Sequence, residues 1–405
     1  MDAAEIRWLQ TPEGIAAAVQ AAALLAAGPE LPALRRLGRD WTPAQARAAV
    51  ALVLGRRTLA GKRSDAARLF CDREAGEQAS HASVAMHLAA RFAGSRYVAD
   101  IGCGMGGDAL AIAMHAPVLA IDRDETRLAM LAANVSALGL SDRVTPLLDD
   151  AETWTPPPDI DALWCDPARR GDSERRLRPE PWSPSLARAL TLAVEVGAAG
   201  IKLAPGIDLD ALPEEGEGCE VEFVSLDRGL RAAVLWLGRL ARAPRTATVL
   251  SADGAVDALS GEPDDGATPL GEPGRYLYDL DPAVGRAGLL DLLAPRLNAW
   301  KLDSDLAYLT SEEAVETPFA RRFLVLDWLP FAERGLLDAL RRLDTGRVDV
   351  MRRGSPVDTN ALERRLNAAL RGRGNVAEGT ADSEASIVVL TRVRGVHVAI
   401  VCTRE

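Results

Sequence analysis

The sequence predicts an α/β chain of three parts: a helical N-terminal region, a doubly wound parallel sheet ending in an antiparallel hairpin, and a smaller α+β domain. Three observations carry the prediction. From residue 96, short apolar runs alternate with helix-length amphipathic stretches, a pattern that builds a parallel sheet with helices on both faces. CEVEFVSLDRGLRAAVLWLG then gives two strands around Asp227-Arg228-Gly229, an antiparallel hairpin at the sheet's end. SGEPDDGATPLGEPG, residues 260–274, gathers Gly, Pro and acids and reads as a linker. The expected boundaries are 1–93 for the helical region, 94–245 for the sheet domain, 246–274 for a hairpin (around Asp253-Gly254) plus linker, and 275–405 for the last domain.

Each element has a local reason. TPEGIAAAVQAAALLAA opens with Thr11 as N-cap, Pro12 in the first turn and Glu13 behind it, and TPAQARAAVALVLGRRTLAGKR repeats that start at Thr42-Pro43. GEQASHASVAMHLAARF reads as a third helix, with Val84, Leu88 and Phe92 one turn apart. RYVADIG is a strand stopped by glycine. GGDALAIAMHA and DETRLAMLAANVSALG are helices, and PVLAID, RVTPLLDD and IDALWCDP are strands; SPSLARALTLAVEVG and AGIKLAP add a helix and a strand. The last domain mixes helices (AVGRAGLLDLLAPRL, AERGLLDALRRL, DTNALERRLNAALRG) with strands (RRFLVLDWLP, GRVDVMRR, ASIVVLTRVRG, VHVAIVCT).

A chain of 405 residues exceeds one ordinary domain, and 48% hydrophobic against 26% charged residues supplies sizeable cores. No apolar run approaches the ~20 residues of a membrane span, and the N-terminus shows no basic-then-apolar leader pattern. Five scattered cysteines, odd in number, make a disulfide framework unexpected and a reducing cytoplasm the expected setting. With four histidines, no metal site is expected. A net charge of −11 argues against indiscriminate nucleic-acid binding, which needs concentrated Lys and Arg. The charge is uneven, however: residues 168–178 hold five Arg against two acids, and residues 335–375 hold nine against five. These are either a local RNA-binding face or solvated surface arginines.

DIGCGMGGDALAIA follows one strand and opens one helix. Glycines at 102, 104 and 106 let backbone approach a ligand, and the helix start beyond them offers free N–H groups. The G-x-G-x-x-G spacing of Gly102, Gly104 and Gly107 alone fits a dinucleotide enzyme equally well. Asp100 separates the two readings. A carboxylate beside the loop repels a pyrophosphate and suits an ammonium, such as the methionine end of S-adenosylmethionine. Asp122 closes the next strand 22 residues later, where a carboxylate accepts from both ribose hydroxyls. Asp150 closes the third strand, placed to accept from the adenine amino group, with Ala151 beside it and Asp149 as the alternative.

At these residues the chain resembles class I S-adenosylmethionine-dependent methyltransferases, over about 95–240. The upstream EQASHASVAMHLAARF resembles the segment before the glycine loop in RNA methylases such as trimethylguanosine synthase, which implies Glu77, Gln78 and Ser80 near the cofactor. EQAS, DPARR, IKLAPGID, RYLYDLDPAVGRAGLL and AYLTSEEAVETPFARRFLVLD extend the resemblance over nearly the whole chain, to bacterial methyltransferases with a C-terminal THUMP-like domain. The sheet is then the Rossmann-like methyltransferase sheet, and residues 275–405 are THUMP-like.

DALWCDPARR holds the expected chemistry. Enzymes that methylate base amino groups usually carry Asp-Pro-Pro and an aromatic at this strand end. Here Asp166 and Pro167 are the expected catalytic pair, with Ala168 and Arg169 where the second proline and the aromatic would stand. Asp166 and the following carbonyls can accept from an amino group, and Pro167 stiffens the loop. A guanidinium at Arg169 can stack on a base, and Trp182 is the other stacking candidate. Arg169, Arg170 and Lys202, at the end of the next strand, are the expected substrate contacts, with pairing inside the protein as the alternative for each. Trp164 and Cys165 are expected in the core. The reading is methyl transfer to a base amino nitrogen in RNA, with RNA also the expected partner of the THUMP-like domain through its arginines. Two other readings use the same residues: a methyltransferase for a protein or small anionic metabolite, and a non-catalytic RNA-binding protein that keeps the cofactor fold.

Overall fold

The computed structural model describes residues 1–169, 182–209, 212, 218–371 and 385–404. Its contacts divide the chain into two compact units, Met1–Glu222 with Arg231–Pro244, and Phe223–Leu230 with Arg245–Glu405.

In the first unit, helices α1 (Ala3–Leu9), α2 (Pro12–Ala27), α3 (Glu30–Leu37) and α4 (Pro43–Ala60) come first. Thr11 caps α2 by accepting from Gly14 N–H, and Thr42 and Gln45 form a reciprocal capping box on α4. The sequence reading missed the short α1 and α3. It also expected one helix from Gly76 to Phe92. The chain instead forms α5 (Arg73–Gln78) and α6 (Ala82–Ala89), with Ala79 extended between them. Lys62 is the physical reason. Its ammonium donates to the carbonyls of Glu77 and Ala79, and its own carbonyl accepts from Ala82 N–H at 2.9 Å. Those are the groups a continuous helix would have paired internally.

The sheet follows: β1 (Val98–Ile101), α7 (Gly107–Ile112), β2 (Val118–Asp122), α8 (Glu125–Leu138), β3 (Val144–Leu148) and β4 (Ala162–Cys165). A two-residue antiparallel pair, β5 (Ala168–Arg169) with β6 (Trp182–Ser183), precedes α9 (Leu186–Val196) and β7 (Ala198–Leu203). The hairpin strands are β8 (Cys219–Leu226) and β9 (Gly229–Gly238). Strands β7, β4, β1, β2 and β3 lie parallel in that order, and β9 runs antiparallel beside β7, as the sequence predicts. The chain leaves β1 toward β2 on one side and returns as β4 on the other. Such a reversal opens a crevice at the strands' C-terminal ends.

The helical region does not stand apart from this sheet. Phe92 meets Trp164 and Trp236 edge-on at 6.1 and 5.9 Å between centroids, and all three rings are fully buried. Arg91 forks onto buried Glu220 at 2.8 Å, and His87 reaches buried Glu222 at 2.7 Å. These contacts explain why residues 1–93 and the sheet form one unit rather than two.

The second unit holds the hairpin β10 (Arg245–Leu250) with β11 (Val256–Gly261), then β12 (Tyr276–Leu280), α10 (Pro282–Ala287), α11 (Leu290–Leu293), β13 (Trp300–Lys301), β14 (Tyr308–Ser311), β15 (Ala320–Pro330), α12 (Glu333–Arg342), β16 (Val348–Arg352), α13 (Thr359–Arg371), β17 (Ser386–Val393) and β18 (Val396–Arg404). Seven strands form a mostly antiparallel sheet, ordered β13-β14-β12-β15-β18-β17-β16. Alternate residues of β17 face opposite cores. Ile387 and Val389 join Leu277, Phe323 and Ile400, while Val388 and Leu390 join Leu336, Leu340, Leu362 and Leu366 from α12 and α13. The helix expected over AVGRAGLLDLLAPRL is broken at Gly288, whose φ of 66° ends α10. Strands β12 to β14 escaped the sequence reading. The 223–230 tip belongs to this unit because Arg286 covers the Phe223 ring at 5.3 Å and Arg228 binds Asp279.

Candidate active site

The acids picked from the strand ends converge around the glycine loop. Asp100 lies at the third position of β1 and is buried, and its Oδ2 has no partner among the described residues. Asp122 closes β2 and shapes the loop. Its Oδ2 accepts from Gly104 N–H at 2.9 Å and its Oδ1 from Asp124 N–H at 3.0 Å. Gly102 has φ 76°, and an added Cβ there would come within 3.1 Å of the Asp166 carbonyl oxygen. The loop and the Asp166-Pro167 strand end therefore lie close together, and a side chain at Gly102 would crowd that carbonyl at a strained φ. Asn134, wholly buried on α8, fastens the loop from behind by donating to the carbonyls of Met105 (2.9 Å) and Phe70 (3.1 Å).

Past β3, Asp149 Oδ1 accepts from Asp150 N–H at 2.8 Å, and Asp150 Oδ1 accepts from Glu152 N–H at 3.1 Å. Ala151 lies in that turn, and its carbonyl accepts from Arg188 at 3.2 Å. Both acids spend an oxygen on folding the turn, so the geometry leaves the choice between them open.

Lys202, expected as a substrate contact, is an internal counter-ion. Its ammonium donates to Asp166 Oδ2 and to Ser80 Oγ at 2.7 Å each, and to Asp108 Oδ2 at 3.3 Å. Three protons thus meet three protein oxygens. Burial pulls this lysine down, but Asp108 and Asp166 outweigh it and hold the ammonium above its ordinary range. Asp108, in the first turn of α7, was missed by the sequence reading, although an acid one residue after Gly107 was a visible signal. It also accepts from Trp164 Nε1 at 3.2 Å, while its buried Oδ1 has no partner among the described residues. Trp164 and Cys165 are buried, as expected.

Among the described residues, the charges that bear on Asp100 are the carboxylates of Asp108, Asp166 and Asp122 and one ammonium, that of Lys202. Burial, then the carboxylates of Asp108 and Asp166, push Asp100 well above its ordinary value. An orphaned buried carboxylate in an acid-rich crevice fits a ligand that brings an ammonium and a sulfonium, as S-adenosylmethionine does.

Of the three residues upstream of the loop, only Ser80 meets the cluster. Glu77 and Gln78 are exposed, and the Gln78 amide donates to Glu74 at 3.2 Å. Arg169 pairs through its backbone with Trp182. The side chains of both, and all of Arg170, lie outside the described residues. In the second unit, Arg365 forks onto Glu333 at 2.8 Å and Arg352 donates to the Val357 carbonyl at 2.8 Å. Arg365 therefore adds less free charge than the arginine count of residues 335–375 suggests.

A family model described as RNA cap guanine-N2 methyltransferase matches residues 95–174, and one described as THUMP domain-like matches residues 320–404. An S-adenosylmethionine-dependent methyltransferase of Mycobacterium tuberculosis is 36% identical over 336 residues, covering 80% of this chain and 85% of that one. The crystal structure of a candidate methyltransferase from Porphyromonas gingivalis W83 superposes with a TM-score of 0.73 at 20% identity, over 99% of this chain and 97% of that one; it shows the shared fold. By its cofactor crevice and its relatives, the chain belongs to the S-adenosylmethionine-dependent methyltransferases, with a THUMP-like domain at its C-terminal end.

Proposed function

We propose that the enzyme methylates an amino nitrogen of an RNA base, with Asp166 and Pro167 as the catalytic strand end. The observation that carries this reading is the state of the Asp166 carboxylate. Oδ2 is fixed by Lys202 at 2.7 Å, while Oδ1 has no partner among the described residues, on a side chain about one-third exposed. A base amino group is a poor nucleophile because its lone pair is delocalised into the ring. An oriented acceptor on one of its N–H bonds draws the nitrogen toward tetrahedral geometry and holds it in line with the methyl donor. Bound S-adenosylmethionine supplies an electrophilic methyl carbon. The protein supplies orientation, and after transfer the nitrogen returns to neutrality by losing its extra proton, for which Asp166 Oδ1 is the acceptor in this reading.

In this reading Asp100 receives the cofactor ammonium, Asp122 the ribose hydroxyls, and Asp150 or Asp149 the adenine amino group, with Gly102, Gly104, Gly106 and Ala151 lining the cradle. The resemblance also carries Gln78 to the cofactor, and Arg169 and Arg170 to the substrate. The family-model match to guanine-N2 methyltransferases supports an exocyclic amine, and the THUMP-like domain supports RNA. The test is transfer of radiolabelled methyl to separated RNA, protein and small-molecule fractions, followed by nucleoside digestion of RNA from a deletion strain. Label in RNA, and loss of one N-methylated nucleoside from the deletion strain, is the expected result. Label confined to protein or metabolites would replace RNA as the substrate.

A further inference from the structure

RYLYDLDP, the β12 stretch, is unused by the chemistry above, yet three arginines distant in sequence converge on it. Asp279 is nearly buried. Arg321 donates to its Oδ2 at 2.7 Å, Arg228 to the same oxygen at 3.1 Å, and Arg353 to Oδ1 at 3.3 Å. Among the described residues, Arg228 and Arg321 each hydrogen-bond through one terminal nitrogen, and the Nε and other terminal nitrogen of each have no hydrogen-bond partner there. Their side chains are 28% and 44% exposed, and that of Arg353 32%, so the cluster is reachable from solvent. The guanidinium groups of Arg353 and Arg321 are steadied over the rings of Tyr308 (5.3 Å) and Phe323 (5.6 Å). Arg228 stands at φ 60° in the β8–β9 turn, where glycine or asparagine would be less strained. One carboxylate needs one guanidinium partner. Even with buried Asp281 nearby, positive charge is in excess among the described residues, and Arg321 and Arg353 bear on Arg228 as like charges.

We infer that Arg228, Arg321 and Arg353 form a phosphate-binding site, and that an RNA backbone phosphate is its source. Planar forks that converge from three directions match the oxygens of a phosphate. The RNA source rests on the proposed function; the phosphate chemistry does not.

The experiment uses the full chain, with a short fluorescein-labelled RNA in a salt series, inorganic phosphate as competitor against chloride at matched ionic strength, and calorimetric titration of inorganic phosphate alone. In Arg321→Gln two arginines remain on Asp279, and thermal unfolding verifies that the fold is kept; Arg353→Gln is the second variant should the first unfold. Arg365→Gln, which removes a guanidinium paired to Glu333, is the control. Arg321→Gln should bind a single-stranded RNA about tenfold more weakly, with a log–log salt slope smaller by about 0.7. Phosphate should displace RNA from the wild type better than chloride does, and lose that advantage in the variant. Loss of phosphate binding in the variant with unchanged RNA affinity would keep the phosphate site and make a small phosphorylated ligand its source. Equal phosphate and RNA binding by wild type and both variants overturns the inference. If no RNA accepts methyl while Arg321→Gln still loses phosphate, the proposed function fails and this site stands.

Discussion

Two charge clusters in this chain are mirror images. Among the described residues of the sheet unit, Lys202 is the one cation that bears on Asp100, Asp108 and Asp166 together. Among those of the C-terminal unit, Asp279 is the one carboxylate that pairs with Arg228, Arg321 and Arg353 alike. Charges taken out of water are stabilised only by well-placed partners, so an excess of one sign costs stability in the free protein. The excess makes physical sense when a ligand of opposite sign completes it. The first cluster suits a cation such as the methyl donor, and the second suits an anion such as the phosphate proposed for it.

The comparison breaks most openly at Lys202. Lys202→Met leaves Asp108 and Asp166 without their cation, and breaking a buried ion pair costs about 3–5 kcal/mol. Chemical denaturation should show that loss, with Lys202→Arg retaining much of the stability. Equal midpoints for wild type and Lys202→Met would mean that the acids do not depend on this lysine. Next in size is Asp166→Ala. Turnover should fall roughly 10²-fold, the lower range for loss of an acid–base group, while affinity for S-adenosylhomocysteine changes little. Joint loss of cofactor and activity would move Asp166 into the cofactor site. Asp122→Ala comes third. It removes the proposed ribose acceptor and frees Gly104 N–H, at a cost of roughly 1.5–3 kcal/mol, or ten- to hundredfold in affinity. Calorimetry reads it directly, and unchanged affinity would remove Asp122 from the site.

The two clusters were not equally legible in the sequence. Asp100, Asp122, Asp150 and Asp166 lie at or just past the C-terminal ends of strands that the apolar runs mark, and parallel strands bring those ends to one edge. Period and position together place them. Lys202 was placed at that edge for the same reason, but which partner it takes depends on side-chain reach, and only the structure shows it held by Asp166, Asp108 and Ser80. The arginine cluster has no local signature. Arg228 sits in a hairpin turn, Arg321 on β15 and Arg353 just past β16, and their meeting point Asp279 lies on β12, a strand the reading missed. The arginine-rich stretch 335–375 takes in Arg353, but a count along it cannot tell that arginine from Arg365, which pairs with Glu333. The break between α5 and α6 was hidden likewise, because a lysine from another segment, Lys62, takes over the backbone bonds there.

The smallest expected effect bears on Asp100, and its signs are opposite in two measurements. Burial and the neighbouring carboxylates hold Asp100 well above the ordinary carboxylate range, so without cofactor it keeps its proton through a window where an exposed aspartate has ionised. A raised carboxyl contributes stability that is complete below its unfolded value and is lost as pH rises through its folded value. The cofactor-free protein should therefore lose stability as pH climbs through that window. Docking an ammonium requires the ionised carboxylate, so cofactor affinity should climb over the same window, by at most about tenfold per pH unit for one proton. Each binding event then releases up to one proton, visible in calorimetry as a binding enthalpy that depends on the buffer's own heat of ionisation. Asp100→Asn should abolish the buffer dependence and weaken binding while flattening the pH dependence of the free protein's stability. Buffer-independent enthalpy in the wild type would mean that Asp100 is already ionised before the cofactor arrives, and the sheet cluster would then carry a standing negative charge.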